Sequence, residues 1–202
     1  NLESIQSSVE AVVASGKEVL IDCEHFFDGY KANPAYALAC AKTAYDAGAR
    51  WVVLSGPTKS PDVPTIVRGV NRPDGATQII SCASCTTNNI TPLVEILDRH
   101  FGVDKALLTT VHAYTATQAL VDSPGGAKDL RRGRAAAQNF VPSSTGAATA
   151  TAKALPAMEG RFDGVSIRGP VVVGSISDVV FVLQRDTTVE EVNDVLRQEA
   201  TS

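Results

Sequence analysis

Residues 81–89 read SCASCTTNN, and this stretch separates two segments of different periodicity. Residues 78–81 form a short, largely apolar run that is typical of a strand, whereas residues 86–101 repeat apolar side chains at helical spacing. The sequence therefore predicts a strand that ends at Ser81 and a helix that begins at Cys85. A thiol in the first turn of a helix lies at the positive end of the helix dipole, which favours the reactive thiolate.

The residues before this stretch predict alternating helices and strands. The expected elements are a helix over 2–13, a strand over 18–22, a helix over 34–47 and a strand over 51–54. Gly16 and Gly48 follow the two helices, where glycine commonly ends a helix. This α-β-α-β order is typical of a piece of a parallel α/β sheet. The turn-rich segment 56–62 predicts a domain boundary between about Leu54 and Asp62.

The residues after the boundary predict a mixed arrangement. Strands are expected at 65–70, 78–81, 106–111 and 175–184, and helices at 86–101, at 144–155 with Ser144 as its cap, and from Thr188 onward. Residues 122–134 are polar and glycine-rich, which indicates a loop. Because strands and helices do not alternate strictly, we expect an α+β domain with a mixed sheet and helices packed on it.

Composition excludes several classes of protein. The 202-residue chain is 44% hydrophobic and 20% charged, with a net charge of −4, so it has no basic surplus for binding nucleic acid. Apolar runs such as 51–54 and 170–173 have the length of strands, far below the roughly 20 residues that cross a bilayer. The chain begins without methionine and without a recognisable signal peptide, so we expect a fragment or a processed start.

Four cysteines, at 23, 40, 82 and 85, do not suit a disulfide framework in a chain of this size, so a cytoplasmic location is expected. Cys82 and Cys85 have the CxxC spacing of a redox motif, and this interpretation stands beside the nucleophile interpretation of Cys85. Cys85 could alternatively be a small buried side chain that fills a core.

His112 lies 27 positions after Cys85, at the end of a predicted strand. A cysteine and a histidine can together supply a nucleophile and a general base. A structural histidine with satisfied hydrogen bonds is the alternative interpretation.

Hydroxyl groups and arginines predict an anion site. Residues 114–117 follow His112, and residues 143–148 open a predicted helix whose hydroxyl and N–H groups suit a phosphate. Four arginines with few acidic neighbours could add guanidinium groups: Arg131, Arg132, Arg134 and Arg168. A phosphorylated substrate is the expected ligand, although each threonine could instead be a helix cap and each arginine a solvated loop residue.

Four motifs in one order resemble the glyceraldehyde-3-phosphate dehydrogenase family: SCASCTTN at 81–88, LTTVHAYTATQ at 108–118, RGRAAAQN at 132–139 and VPSSTGAA at 141–148. The resemblance spans about 56–200. It implies an oxidoreductase that oxidises and phosphorylates glyceraldehyde 3-phosphate to 1,3-bisphosphoglycerate, with NAD or NADP as the oxidant. It further implies that Cys85 attacks the aldehyde and forms a thioester, while His112 takes the proton as hydride leaves for the nicotinamide.

The same resemblance assigns further residues. Those that would hold the substrate phosphate are Thr115, Thr117 and Arg168. Those that would hold the attacking phosphate are Ser84, Thr86, Thr145 and Gly146, with Arg134 near these anions. The implied partners are a phosphorylated aldehyde and inorganic phosphate, with no nucleic acid, no membrane and no metal. We also expect a homo-oligomer, because exposed apolar faces favour association.

The sequence departs from the family pattern in several places. Cys82 stands where many members have asparagine, Asn89 where many have a second cysteine, and Gly169 where valine is usual, which could loosen the strand that holds Arg168. No Gly-x-Gly-x-x-Gly fingerprint for a dinucleotide occurs, and the family's C-terminal part does not follow. The residues that would bind the cofactor therefore stay unknown, and we expect incomplete activity.

The first 54 residues carry a different resemblance. Residues 22–36 (DCEHFFDGYKANPAY) and 47–54 (AGARWVVL) are similar to the citramalate synthase branch of the isopropylmalate synthase family. Those enzymes are TIM barrels that condense acetyl-CoA with a 2-oxo acid at a divalent metal, and Glu24 matches a carboxylate of that site. Glu24 and His25 could suggest a metal, but adjacent strand side chains point to opposite faces and the family's other ligands are missing.

The chain therefore reads as a fusion with a TIM-barrel-like fragment at 1–54 and a truncated dehydrogenase catalytic domain at 55–202. A dehydrogenase with impaired activity is the first hypothesis. A non-catalytic structural chimera and a citramalate-synthase-like acyltransferase, acting on acetyl-CoA and pyruvate, are the alternatives.

Overall fold

The computed structural model describes residues 1–23, 26–49, 51–75, 77–124 and 129–201, with the backbone alone of Phe27. The backbone forms two units, Asn1–Asn88 and Asn89–Ser202. The division falls inside one long helix, α4, which spans Cys85–Phe101.

The first unit is built on a short parallel sheet. Its elements are α1 (Leu2–Ala14), β1 (Leu20–Asp22), α2 (Phe26–Ala32), α3 (Pro34–Asp46), β2 (Trp51–Leu54) and β3 (Ile79–Ser81). The strands lie in the order β1-β2-β3 and both pairs are parallel. The predicted α-β-α-β order is found, and helix α2 is an addition that the sequence pattern did not indicate because the helix has only two turns.

Helix boundaries in this unit follow local chemistry. Asn33 caps α3, because its side chain accepts a hydrogen bond from the Tyr36 amide at 3.1 Å, and Pro34 occupies the first turn. Gly48 follows α3 with φ +107°, a conformation that favours glycine. The core of the unit consists of apolar residues from α1, α3 and the segments that lead into the strands: Val9, Val19, Ala44 and Ala49.

The predicted strand at 65–70 is wrong. Only Thr65 forms a bridge, to Ser81, and the chain then turns. The side chain of Asn71 accepts a hydrogen bond from the Val67 amide and donates one to the Thr65 carbonyl, both at 2.8 Å. An asparagine side chain therefore satisfies the backbone groups that a strand would have paired.

The second unit contains a four-stranded mixed sheet, which confirms the predicted mixed sheet with helices. After α4, its elements are β4 (Val103–Ala113), β5 (Val141–Ser144), α5 (Ala147–Ala154), β6 (Phe162–Gly169), β7 (Ser175–Leu183) and α6 (Val189–Glu199). The strand order is β5-β6-β4-β7. Strands β4 and β6 are parallel, and the two outer pairs are antiparallel.

Three details of this unit differ from the sequence prediction. Strand β6 was not among the strands expected from the pattern of apolar residues, and only the family resemblance placed Arg168 on a strand. Strand β5 was not predicted, because it has four residues and contains Pro142, which is tolerated at the edge of a sheet. Ser144 lies in β5 and is not a helix cap. Gly146 is the N-cap of α5, and the Thr145 hydroxyl accepts a hydrogen bond from the Ala147 amide at 3.2 Å.

The core of the second unit lies on one face of the sheet. Buried side chains of α4, such as Val94, pack with Leu108 of β4 and Met158, which are fully enclosed. The opposite face is apolar and more than half exposed, and its residues are Leu107, Val165, Ile176, Val180 and Val182. Within the second unit as far as it is described, the helices pack on one side of the sheet. Among the described residues no helix is both long and apolar enough to span a membrane.

Candidate functional site

Cys85 is the first residue of α4 and is exposed, which confirms the predicted start of the helix. Ser84 caps the helix, because its hydroxyl accepts a hydrogen bond from the Thr87 amide at 3.1 Å. The turn between β3 and α4 passes through Ala83, which is buried and has φ +58°. A non-glycine residue in this region is strained. A strained turn therefore leads directly into the helix N-terminus at which the Cys85 thiol is exposed.

The turn before Cys85 is fixed by two side chains. The Ser81 hydroxyl donates to the Gly56 carbonyl at 2.7 Å and accepts from the Ala83 amide at 3.1 Å. The Asn88 amide donates to the Ser84 carbonyl at 2.9 Å. Asn88 was not predicted as a site residue, although a side-chain amide in a first helical turn is a usual partner for the preceding backbone.

Cys82 differs from Cys85 in its surroundings. Its thiol donates to the Leu54 carbonyl at 3.3 Å, and burial, followed by the Asp22 charge, raises its pKa. A raised pKa keeps the thiol protonated, which disfavours attack on a disulfide. No disulfide is formed by the cysteines that the structure describes. These observations do not favour a redox role for the CxxC spacing.

His112 lies one residue before the end of β4, and its register partner on β6 is Arg168. The Arg168 Nη1 atom is 2.7 Å from His112 Nδ1 and donates to the Ala113 carbonyl at 3.1 Å. The same Nδ1 atom is 2.8 Å from the Ala113 carbonyl oxygen. The structure therefore brings together two of the predicted site residues. The Ala113 carbonyl completes this group and was not foreseen, because a backbone acceptor has no sequence signal.

The predicted threonines lie in the loop that follows β4. The hydroxyls of Thr115 and Thr117 are 2.9 Å apart, and the Thr115 amide donates to the Gln118 side chain at 3.3 Å. Thr117 is exposed. Two adjacent hydroxyls can each donate to an anion.

The predicted hydroxyl groups at helix starts have local partners. The Ser84 hydroxyl is 2.8 Å from the Thr87 hydroxyl in addition to its capping bond. Thr86 is half-buried in the first turn of α4. Thr145 and Gly146 lie at the start of α5, where N–H groups of the first turn point outward from the helix.

Three of the four predicted arginines have carboxylate partners, contrary to the expectation of few acidic neighbours. Arg134 Nε lies 2.7 Å from Asp122, and Arg131 Nε lies 2.8 Å from Asp129. Arg132 also approaches Asp129, at 3.9 Å. The Arg131 guanidinium lowers the pKa of Asp129. Aspartate side chains close in sequence therefore form ion pairs with Arg131, Arg132 and Arg134, whereas Arg168 contacts His112.

No group of three or more histidine, cysteine or acidic side chains within the described ranges could hold a metal ion. Glu24 and His25, the pair considered for a metal in the sequence analysis, lie outside the described residues.

A family profile described as "Glyceraldehyde 3-phosphate dehydrogenase, C-terminal domain" matches residues 84–202, more than half of the chain. The chain belongs to the glyceraldehyde-3-phosphate dehydrogenase family. The glyceraldehyde-3-phosphate dehydrogenase of Streptomyces coelicolor is 50% identical over 156 residues, which cover 76% of this chain and 46% of the relative. That of Mycolicibacterium smegmatis is 48% identical over 164 residues, which cover 80% and 47%.

The chain spans about half the length of these glyceraldehyde-3-phosphate dehydrogenases. A match that covers 80% of the chain is longer than the segment 55–202. The similarity to the dehydrogenase family therefore begins before Ser55, earlier in the chain than the first of the family motifs at 81–88.

Proposed function

We propose that the chain supplies the thiol and phosphate chemistry of a phosphorylating glyceraldehyde-3-phosphate dehydrogenase, with Cys85 as nucleophile and His112 as general base. The observation that carries the proposal is the exposed Cys85 at the first position of α4, inside the segment matched by the family profile. The helix dipole and the amides of the first turn favour a thiolate and could steady an oxyanion on the carbon it attacks.

NAD or NADP would supply the hydride acceptor for the oxidation when bound. No strand-to-helix turn in the described ranges carries the Gly-x-Gly-x-x-Gly sequence that accommodates a dinucleotide pyrophosphate. The described residues therefore do not fit the dinucleotide.

Two steps follow from the residues of this chain. In the first, the Cys85 thiolate forms a bond to the aldehyde carbon and the carbonyl π bond breaks. The aldehyde oxygen takes up the proton that His112 accepted from the thiol, which gives a thiohemiacetal. In the second, which begins from the thioester, an oxygen of inorganic phosphate attacks the acyl carbon. The carbon–sulfur bond then breaks, the thiolate leaves, and an acyl phosphate is released. His112 would accept the proton of the thiol or of the thiohemiacetal hydroxyl.

The anion sites form part of the same proposal. Thr115, Thr117 and Arg168 would hold the phosphate of the substrate, and the adjacent hydroxyls of the two threonines support this assignment. The groups assigned to the attacking phosphate are Ser84, Thr86, Thr145 and Gly146. Arg134 is the weakest assignment, because its guanidinium is paired with Asp122.

We also propose a homo-oligomer and a cytoplasmic location. The apolar outer face of the four-stranded sheet supports association, because contiguous exposed apolar surface is rare on monomers.

For residues 1–54 we propose a fragment of barrel origin. The parallel pairing of β1 with β2 is compatible with a barrel unit and equally with a doubly wound sheet. We propose a boundary between this fragment and the dehydrogenase domain at residues 54–55. The match to the Mycolicibacterium smegmatis relative is longer than the segment 55–202, and this length supports a boundary nearer the N-terminus.

Alkylation tests the activated thiol. Iodoacetamide at neutral pH, followed by peptide mapping, should label Cys85 roughly tenfold faster than the half-buried Cys40, and the His112→Gln variant should reduce that difference. Equal labelling of the two cysteines would contradict the proposal.

The dehydrogenase reaction is tested with NAD, phosphate and glyceraldehyde 3-phosphate. NADH formation that disappears in Cys85→Ser would support the full reaction. Rapid labelling of Cys85 without NADH formation would limit the chain to thiol chemistry, and slow labelling without NADH formation would favour a non-catalytic chimera. Consumption of acetyl-CoA with pyruvate tests the acyltransferase alternative.

A further inference from the structure

The two contacts of His112 Nδ1 cannot both be hydrogen bonds. Arg168 Nη1 lies 2.7 Å away and can only donate, whereas the Ala113 carbonyl oxygen lies 2.8 Å away and can only accept. A single imidazole nitrogen either bears a proton and donates or lacks one and accepts. In the neutral ring, one tautomer therefore satisfies Arg168 and the other satisfies Ala113.

The backbone enforces this competition. His112 and Arg168 are register partners on the parallel strands β4 and β6, so their side chains leave adjacent positions of the sheet. When Nδ1 accepts from Arg168, the proton of the neutral ring resides on Nε2, and Arg168 also donates to the Ala113 carbonyl at 3.1 Å. When Nδ1 bears the proton and donates to Ala113, an Arg168 N–H group at 2.7 Å faces another N–H group. The guanidinium must then move away.

We propose that an anion bound by Arg168 switches the tautomer of His112. A phosphate oxygen is a stronger acceptor for a guanidinium than a neutral imidazole, because the hydrogen bond is assisted by charge. Arg168 then turns to the anion, and Nδ1–H donates to the Ala113 carbonyl. Nε2 loses its proton in this tautomer and can act as a general base. The inference rests on the proposed function, since it couples phosphate occupancy to the base of that reaction.

The ligand class is a phosphate, either as a monoester or as the inorganic ion. The adjacent hydroxyls of Thr115 and Thr117 lie in the loop that follows the same strand, and they supply further donors for such an anion. Glycerol 3-phosphate, which has no aldehyde to react, represents the monoester, and inorganic phosphate represents the ion.

Nitrogen NMR tests the switch without activity. The full chain with ¹⁵N-labelled histidine is observed by long-range ¹H–¹⁵N correlation at alkaline pH, where an imidazole is neutral. The signal of His112 is assigned among three histidines by its loss in His112→Gln. Without added anion the proton is expected on Nε2, and saturating glycerol 3-phosphate or phosphate should move it to Nδ1. A response to one ligand alone identifies the source of the anion.

Two variants make the result decisive. Arg168→Met removes the donor, so His112 should bear its proton on Nδ1 without any anion and should not respond to one. Arg168→Lys keeps a donor and should keep the response, which also checks that substitution at this position leaves the sheet folded. A wild-type proton on Nδ1 in all conditions, or a full response in Arg168→Met, would overturn the inference.

The inference and the proposed function can fail separately. A switching tautomer with a slowly alkylated Cys85 would contradict the proposed function alone. A rapidly alkylated Cys85 with a fixed tautomer would contradict the switch alone.

Discussion

Arg99 and Glu199 form a two-pronged ion pair between α4 and α6, with Nη1–Oε1 and Nη2–Oε2 distances of 3.0 Å each. Glu199 also lies 2.9 Å from His100 Nε2. The hydrogen bond from Arg99, followed by that from His100, lowers the pKa of Glu199 to about 2. The last helix of the chain is therefore attached to the end of α4 by a charged group.

This ion pair predicts how stability depends on pH. The ordinary value for a glutamate is 4.5, so a carboxyl whose pKa is lowered stabilises the folded state above pH 4.5. The contribution is lost as the pH falls toward 2. We expect Glu199→Gln to lower the melting temperature at pH 6, and the difference from wild type should narrow between pH 4.5 and pH 2.

Glu190→Gln, in the first turn of the same helix, is the matched control, since no ion pair of Glu190 occurs among the described residues. Thermal unfolding followed by circular dichroism checks both variants. A difference for Glu199→Gln that is constant with pH would contradict this assignment.

Two glycines of β6 should respond to alanine in opposite directions. A Cβ at Gly169 would meet Phe140 at 3.5 Å and Val111 at 3.7 Å, which are ordinary contacts. Gly169→Ala should stabilise the chain by about 0.5 kcal/mol, because the unfolded chain loses freedom at no steric cost. A Cβ at Gly164 would lie 3.0 Å from the backbone oxygen of Leu108, so Gly164→Ala should destabilise by about 1 kcal/mol or more.

Urea unfolding measures both changes on one strand. The result also tests the expectation that Gly169 loosens the strand that holds Arg168. A Gly169→Ala variant less stable than wild type would reject it.

Because its backbone is strained, position 83 should accept glycine without loss of stability, whereas a β-branched side chain there should destabilise the chain. Ala83 is buried with φ +58°, and the left-handed region is least accessible to β-branched residues. We expect Ala83→Gly to lie within about 0.5 kcal/mol of wild type, because relief of strain offsets the added freedom of the unfolded chain. Ala83→Val should cost about 2 kcal/mol and slow the alkylation of Cys85. Equal stability of the two variants would argue against strain at this turn.

The cap of α4 should affect both stability and the thiol. Ser84→Ala removes the acceptor for the Thr87 amide and should cost about 1 kcal/mol. It should also slow the alkylation of Cys85, because a frayed first turn no longer directs its amides at the sulfur. Ser84→Thr keeps a capping hydroxyl and serves as the control. Denaturant unfolding and alkylation rates should change together; if they diverge, the cap and the thiol are not coupled.

Local patterns predicted the parts of the fold that local chemistry controls. The start of α4 at Cys85 and the limits of β2 follow from a cap and an apolar run within a few residues. The failure at 65–70 has an equally local cause, because the side chain of Asn71 competes with strand pairing. A pattern of apolar residues does not report such competition.

The arrangement around His112 could not be predicted in the same way. The contact with Arg168 depends on the register of β4 against β6, which joins residues more than 50 positions apart. The family motifs identified both residues but assigned them separate roles. The carbonyl of Ala113 competes with Arg168 for the hydrogen bond of His112 Nδ1. Every residue has a backbone carbonyl, so no sequence signal identifies this one.

The outer face of the four-stranded sheet has a practical consequence. Strand β7 has β4 as its only neighbour in the sheet as described, and Ile176, Val180 and Val182 alternate along it toward solvent. A bare edge beside an apolar face is a template on which another extended chain can add as a further strand. During synthesis or refolding at high concentration, we therefore expect β7 to be a site where chains pair wrongly and precipitate. A lysine at position 180 would blunt that edge in the way natural sheets do.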